Sequence, residues 1–319
     1  MKFNGFILSL FLAICLAFIF PTALSKFPVG IITDVGIGLI FFFYGLKLAP
    51  DELKLGFLNF KAHFLIQIST FILFPLFTFL FIPLFEGGTQ SELWLSVFFL
   101  GVLPSTVSSS VVMVAIARGN LPTAIFNASI SGLIGILVTP LWLSFFMAKS
   151  GEFDFIAILY KLCLQIVLPL VLGLLLQGYF GKFARRHNGK LGYFDKAVIV
   201  LIVYTSFSNS FNSGLFETIN VYDLLKITGI VLILFFAVYA IIGVICKWLN
   251  LNIQDTITAK FCGTKKSLVH GSVMVKIIFG ASASVGIFLL PIMLYHILQL
   301  LVVTIFAENY RKRVDLVAK

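Results

Sequence analysis

Lys265 and Lys266 stand side by side in a stretch, residues 257–271, made otherwise of apolar and small residues with one histidine and one further lysine. An ammonium at bilayer depth costs at least about 2.5–3.5 kcal/mol on insertion scales, so it persists where it faces protein or a water-filled cavity. Gly263, Thr264 and Ser267 surround the pair, and Gly271 follows. A helix unwound at such a cluster frees carbonyls and amides that lipid cannot satisfy but an ion, water or solute can. A second cluster of the same kind lies at Pro104-Ser105-Thr106-Val107-Ser108-Ser109-Ser110. Freed carbonyls suit cations, and half-helix amino ends suit carboxylates. The chemistry these residues imply is reversible binding of a charged solute.

Further polar residues fall inside apolar stretches. Asn127, Ser131, Gly135 and Thr139 recur every fourth position, which puts them on one helical face. Small and hydroxylated residues at this spacing equally mark close helix packing. Gln67 and Thr70 lie one turn apart and face either a cavity or a neighbouring helix. His296 and Gln299 are of the same kind, as is the run Tyr204-Thr205-Ser206-Phe207-Ser208-Asn209, which offers solute contacts or frays at an interface. His63 and His187 read as lying near the cytoplasmic surface and carry no signal. No Ser-His-Asp ordering, His-Glu-x-x-His pair or phosphate-binding glycine loop is present, so an enzyme is not expected. Four well-separated cysteines (Cys15, Cys163, Cys246, Cys262) read as small hydrophobes rather than a disulfide framework or metal site.

The elements that must position these residues are membrane helices. The 319 residues are 60% hydrophobic and 11% charged, against about 25% charged in soluble domains, so the chain reads as an all-α integral membrane protein. Stretches of about 20 apolar residues occur near 6–24, 30–49, 61–84, 93–117, 121–147, 155–180, 196–213, 223–248, 254–279 and 283–306. With the amino terminus inside, fifteen basic residues fall on cytoplasmic ends and four (Lys26, Lys149, Lys161, Lys226) on the other side. That bias predicts a multi-pass protein of the plasma (inner) membrane with both termini cytoplasmic. It accounts for the net charge of +10 without nucleic acid, leaving lipid as the bulk partner. Residues 1–25 resemble a signal peptide, but symmetry favours keeping the first span. Ten spans divide into five and five, roughly 1–150 and 151–319, and an odd number per half makes the repeats inverted. The polar clusters then interrupt the fourth and ninth spans, matching positions of the two halves, which is the pointer to a midplane site.

On Phe42-Phe43-Tyr44-Gly45-Leu46-Lys47-Leu48, residues 63–70, Val107-Ser108-Ser109-Ser110-Val111, residues 124–129 and Phe261-Cys262-Gly263-Thr264-Lys265-Lys266-Ser267-Leu268, the chain resembles the bile acid:sodium symporter superfamily. That is solute carrier family 10 with its bacterial relatives, and the nearest likeness is to the divergent branch that includes the seventh vertebrate member. The resemblance implies a core domain of spans 61–147 and 223–306 beside a panel domain of spans 6–49 and 155–213. It also implies secondary transport by alternating access with sodium as the coupling ion. In the sodium-coupled branch the ninth span carries a glutamate and, four residues on, a glutamine; here those positions hold Phe261 and Lys265. An ammonium and a phenyl ring do not build a sodium site, so that chemistry is not carried over, and no cofactor is expected.

Three roles for the lysines stay open. One ammonium takes the place of a sodium ion among the carbonyls and hydroxyls of Ser108, Ser109, Ser110, Asn127 and Thr264, its three donors suiting an oxygen cage. Transport is then sodium-independent or coupled to the lysine's own proton. Alternatively, the lysines bind an anionic substrate directly. Or they pair across the break, or snorkel, and touch no ligand. The expected function is secondary active transport of a small organic anion. The alternative is a non-transporting membrane regulator of ion homeostasis, calcium for example.

Overall fold

The computed structural model describes residues 5–48, 56–106, 108–147, 154–280 and 284–317, with side chains given for all of these but Ser108, Leu215, Thr218 and residues 313–317. Every regular element among them is helical. Helices α1 (Gly5–Ile19), α2 (Val29–Lys47) and α3 (Phe60–Leu84) are followed by α4 (Glu92–Val102) and α5 (Ser108–Ile116). Next come α6 (Leu121–Met147), α7 (Phe155–Leu175), α8 (Gln177–Arg186) and α9 (Asn188–Asn212). The chain ends with α10 (Val221–Trp248), α11 (Ile253–Thr264), α12 (Leu268–Phe279) and α13 (Val285–Val317). Among the described residues seven helices (α2, α3, α6, α7, α9, α10 and most of α13) are long and apolar enough to cross a membrane. The pairs α4–α5 and α11–α12 are each broken midway, at 103–107 and at 265–267, where the polar clusters predict a break. Val107 and the charged positions Lys2, Lys54, Lys149, Glu152 and Lys319 lie outside the described residues. The first helix is shorter than expected and the last longer. At about 1.5 Å per residue, the 33 residues of α13 exceed a hydrocarbon core of about 30 Å.

The chain divides into two compact units. Unit 1 comprises Met1–Leu48, Met147–Val221 and Gly271–Leu289; unit 2 comprises Ala49–Phe146, Tyr222–His270 and Leu290–Lys319. Within unit 1, α1 packs on α9 and α2 on α7. Gly45 and Gly173 let α2 and α7 touch backbone to backbone, since a Cβ at either would collide with a carbonyl of the other helix, Leu170 or Phe42. The polar run of α9 stays helical to Asn212 rather than fraying. Its Tyr204 hydroxyl donates to the Phe20 carbonyl (2.6 Å), and Thr205 bonds back to Leu201.

Within unit 2 an aromatic stack of Phe79, Trp94, Phe98 and Phe146 joins α3, α4 and α6, with centroids 4.8–6.1 Å apart. Such pairs contribute about 0.5–1.5 kcal/mol each beyond burial. Inside α3 a π-helical turn covers Ser69–Leu73. There the Phe74 amide bonds the Ser69 carbonyl instead of that of Thr70, and Pro75 has no N–H to offer. The carbonyls of Thr70 and Phe71 therefore need other donors. The indole of Trp142 serves Phe71 (2.9 Å); the partner of Thr70 belongs to the site.

Candidate functional site

The two breaks meet inside unit 2. The Ser267 amide donates to the Pro104 carbonyl (2.9 Å), and the Ser105 hydroxyl donates to the Cys262 carbonyl at the end of α11 (2.7 Å). Leu103 and Lys265 leave their helices with extended backbone, ψ 149° and 145°. Side chains alternate on extended chain, so Lys265 and Lys266 part company at this point. Both are buried, with exposures of 0% and 1%.

The Lys266 ammonium donates to three carbonyls: Thr70 (2.8 Å), Gly101 (2.6 Å) and Leu103 (2.8 Å). The ring of Phe74 lies 4.3 Å from it by centroid. Each acceptor is available for a stated reason. That of Thr70 is released by the π turn. That of Gly101 is free because the Ser105 amide, four residues on, bonds the Ser131 hydroxyl instead (2.9 Å). That of Leu103 lies in the break beyond α4. Three donors meet three oxygens, and the charge sits at the carboxyl, electronegative end of a half-helix. The main chain of Lys266 is paired as well, its amide donating to Gln299 Oε1 and its carbonyl accepting from Gln299 Nε2, both at 2.9 Å.

Lys265 is held far less. It donates to the Ser109 carbonyl at 2.7 Å and lies 3.4 Å from the Ser109 hydroxyl, which also pairs with Thr106 (2.7 Å). Among the described residues neither ammonium meets a carboxylate, and no group of residues there forms a metal site. The amino ends of α5 and α12 lie at the same breaks and are themselves electropositive.

The sequence expects an oxygen cage around one ammonium, drawn from Ser108–Ser110, Asn127 and Thr264. Of that set Ser109 bonds an ammonium, that of Lys265, while the cage around Lys266 has a different membership: carbonyls of Thr70, Gly101 and Leu103. The side chain of Ser108 lies outside the described residues. Asn127 is occupied elsewhere, its Nδ2 with His63 (2.6 Å) and the Thr123 carbonyl (2.9 Å), its Oδ1 with Gln67 (3.1 Å). His63 is thus a buried member of that network. Thr264 bonds back to Lys260 (2.6 Å), and its carbonyl takes the Tyr295 hydroxyl. The hydroxyl of Thr70 likewise turns back, to Ile66. Ser267 caps α12 through the His270 amide (3.2 Å) and touches the His270 ring (2.9 Å). His296 meets Gln299 Nε2 at 3.0 Å. Gly135 and Gly263 serve close packing: a Cβ would come within 2.8 Å of Pro104 in the first case and 2.9 Å of Ile242 in the second. Thr139 bonds the Val102 carbonyl (2.8 Å). In unit 2, among the described residues, the buried Gln67 Oε1, Ser69 Oγ and Ser110 Oγ have no hydrogen-bond partner. Tyr295 escaped sequence reasoning; Ser105 was placed in the break cluster but not among the site residues.

Comparison with known proteins assigns the class. The sequence profile of the SBF-like CPA transporter family matches residues 4–312, so the chain belongs to that family. It is 35% identical over 285 residues to an uncharacterised protein of Pseudomonas aeruginosa, spanning 89% of this chain and 85% of that one. It is 32% identical over 313 residues to the candidate symporter YfeH of Escherichia coli, spanning 98% and 94%. Identity to the sodium/bile acid cotransporter 7 of Rattus norvegicus is 30% over 284 residues, spanning 88% and 83%. The protein is therefore a multi-pass membrane transporter and not an enzyme.

Proposed function

We propose that the protein is a secondary active transporter that moves a small organic anion by alternating access. Its ten spans form two inverted five-span repeats, the two broken spans being α4–α5 and α11–α12, with both termini cytoplasmic in the inner membrane. Lys266 acts as a tethered cation in place of a coupling ion, and Lys265 is the anion-contacting lysine. The observation that carries this reading is the unequal satisfaction of the two ammonium groups. Lys266 has a protein acceptor for every donor, whereas Lys265 has one short bond. With no carboxylate beside them and two electropositive helix ends nearby, the local field favours an anion. The unpartnered Ser110 and Ser69 hydroxyls and the Gln67 oxygen are further polar groups a solute can engage. Burial of Lys265 means that a solute reaches it only after a conformational change, as alternating access requires.

The test is thermal stabilisation by a panel of small carboxylates and sulfonates, followed by uptake of any stabilising anion into proteoliposomes with and without sodium. Stabilisation and uptake independent of sodium, both lost in Lys265→Met, are expected. A panel with neither would refute the reading, and a regulator without carrier activity gives that result. A sodium-dependent shift in the unaltered protein would refute the tethered-cation role.

A further inference from the structure

We infer that unit 1 carries a binding site for an anionic phospholipid, formed by α8 and its neighbours and separate from the lysine site. Phe42, Phe43 and Leu46 of α2 face Phe180, Phe183 and Ala184 of α8 across a cleft of about 240 Å³. Leu191 at the start of α9 completes a lining that contains no polar residue. A hydrated solute has no partner there. An acyl chain already lies outside water in the bilayer, so such a cleft selects it by shape and packing rather than by the hydrophobic effect.

Charge identifies the headgroup. On α8 the apolar residues Phe180, Phe183 and Ala184 occupy one arc and Lys182, Arg185 and Arg186 the other side at the helical spacing of about 100° per residue, with Tyr179 at the boundary beside Arg186. Tyr179, Phe180 and Phe183 are exposed, the pattern of a helix lying in the plane of the membrane interface with its basic face toward headgroups. Lys190 follows one turn later. From Gln177 to Phe194 the sequence holds no Asp or Glu, and the next acid, Asp195, is engaged by Lys47 of α2 (3.6 Å). The Arg185 guanidinium and the Leu46 carbonyl each lie 3.1 Å from where a Gly181 Cβ would stand, which sets a positive charge within about 6 Å of the cleft-lining Leu46. A basic loop serving topology alone needs no such cleft, and it predicts no preference among lipids.

Native mass spectrometry of the delipidated protein in detergent, titrated with dioleoyl phosphatidylglycerol or dioleoyl phosphatidylcholine, tests this. Phosphatidylglycerol is expected to be retained preferentially. Each arginine removed in Arg185→Gln and Arg186→Gln should lower its retention about fivefold. Filling the cleft by Ala184→Phe, with the charges intact, should lower it comparably, and Leu191→Trp is the second cleft-filling variant if Ala184→Phe does not fold. Arg311→Gln on α13 should leave it unchanged. Equal retention of the two lipids, full retention in the folded cleft-filled variants, or an equal loss in Arg311→Gln would each overturn the proposal. So would displacement of the lipid by free glycerol phosphate, which would leave an anion site without a lipid.

Discussion

Replacing Lys266 by methionine separates the two lysines most sharply. Methionine keeps the chain length and supplies no donor, so the carbonyls of Thr70, Gly101 and Leu103 lose their partner together. Each orphaned buried acceptor costs about 1–3 kcal/mol, a gross loss of roughly 3–9 kcal/mol. Relief of a desolvated ammonium offsets part of this, leaving a net loss in the lower part of that range, about 3–5 kcal/mol. At about 2–4 °C per kcal/mol for a unit of this size, the melting temperature should fall by roughly 6–20 °C. Lys265→Met removes one short bond and should cost about 1–3 kcal/mol, a clearly smaller shift. Intrinsic tryptophan fluorescence is a suitable readout, because Trp94 and Trp142 both lie in unit 2. Lys266→Ala goes further, leaving three carbonyls around a space an ion can enter, so sodium should stabilise this variant while leaving the parent unmoved. A Lys266→Met variant melting within about 2 °C of the parent, or above Lys265→Met, would show that the three carbonyls are not the anchor assigned to them.

The other expectations concern how the breaks are held. Gln299→Leu strips both main-chain partners of Lys266 and should cost about 2–4 kcal/mol, read in the same melts. Ser105→Ala leaves the Cys262 carbonyl unpaired and should cost about 1–3 kcal/mol, with threonine restoring most of it. Trp142→Phe keeps the aromatic packing but orphans the Phe71 carbonyl; a loss near 1–2 kcal/mol, smaller than for Lys266→Met, is expected.

Much of this was legible in the sequence because the membrane makes backbone accounting strict. The clusters at 104–110 and 263–267 could not sit in continuous lipid-facing helices, and both breaks fall there. The face Asn127-Ser131-Thr139 was legible for the same reason, and each of its hydroxyls pairs with a main-chain group at the first break. Which lysine would be caged was not legible. It depends on the register of a three-residue extended segment, where one step turns a side chain to the other side. The cage itself was hidden because its oxygens are main-chain atoms, and carbonyls leave no trace in residue identity. One clue was present: Pro75 inside an apolar stretch announces acceptors one turn earlier without an amide partner. Asn127 misled because its amide needs partners, and His63 and Gln67 supply them from α3.

A cation fixed by a covalent tether changes what can drive transport. A dissociable ion adds the free energy of its own gradient each time it binds on one side and leaves on the other. An ammonium on a lysine stem does neither, so in the proposed role Lys266 holds the crossing together but transmits no gradient. A ligand shifts an equilibrium between states only by its differential affinity for them, and under the proposed function the remaining ligands are the anion and any proton exchanged at Lys265. The accumulation ratio of a transported anion in proteoliposomes should therefore be the same with sodium inside, outside or absent. Imposing a proton gradient should change that ratio if Lys265 exchanges its proton and leave it at unity if the carrier only equilibrates its substrate. Accumulation that follows the sodium gradient would mean that a sodium site exists elsewhere in the chain and that the ammonium among the Thr70, Gly101 and Leu103 carbonyls is only a structural pin.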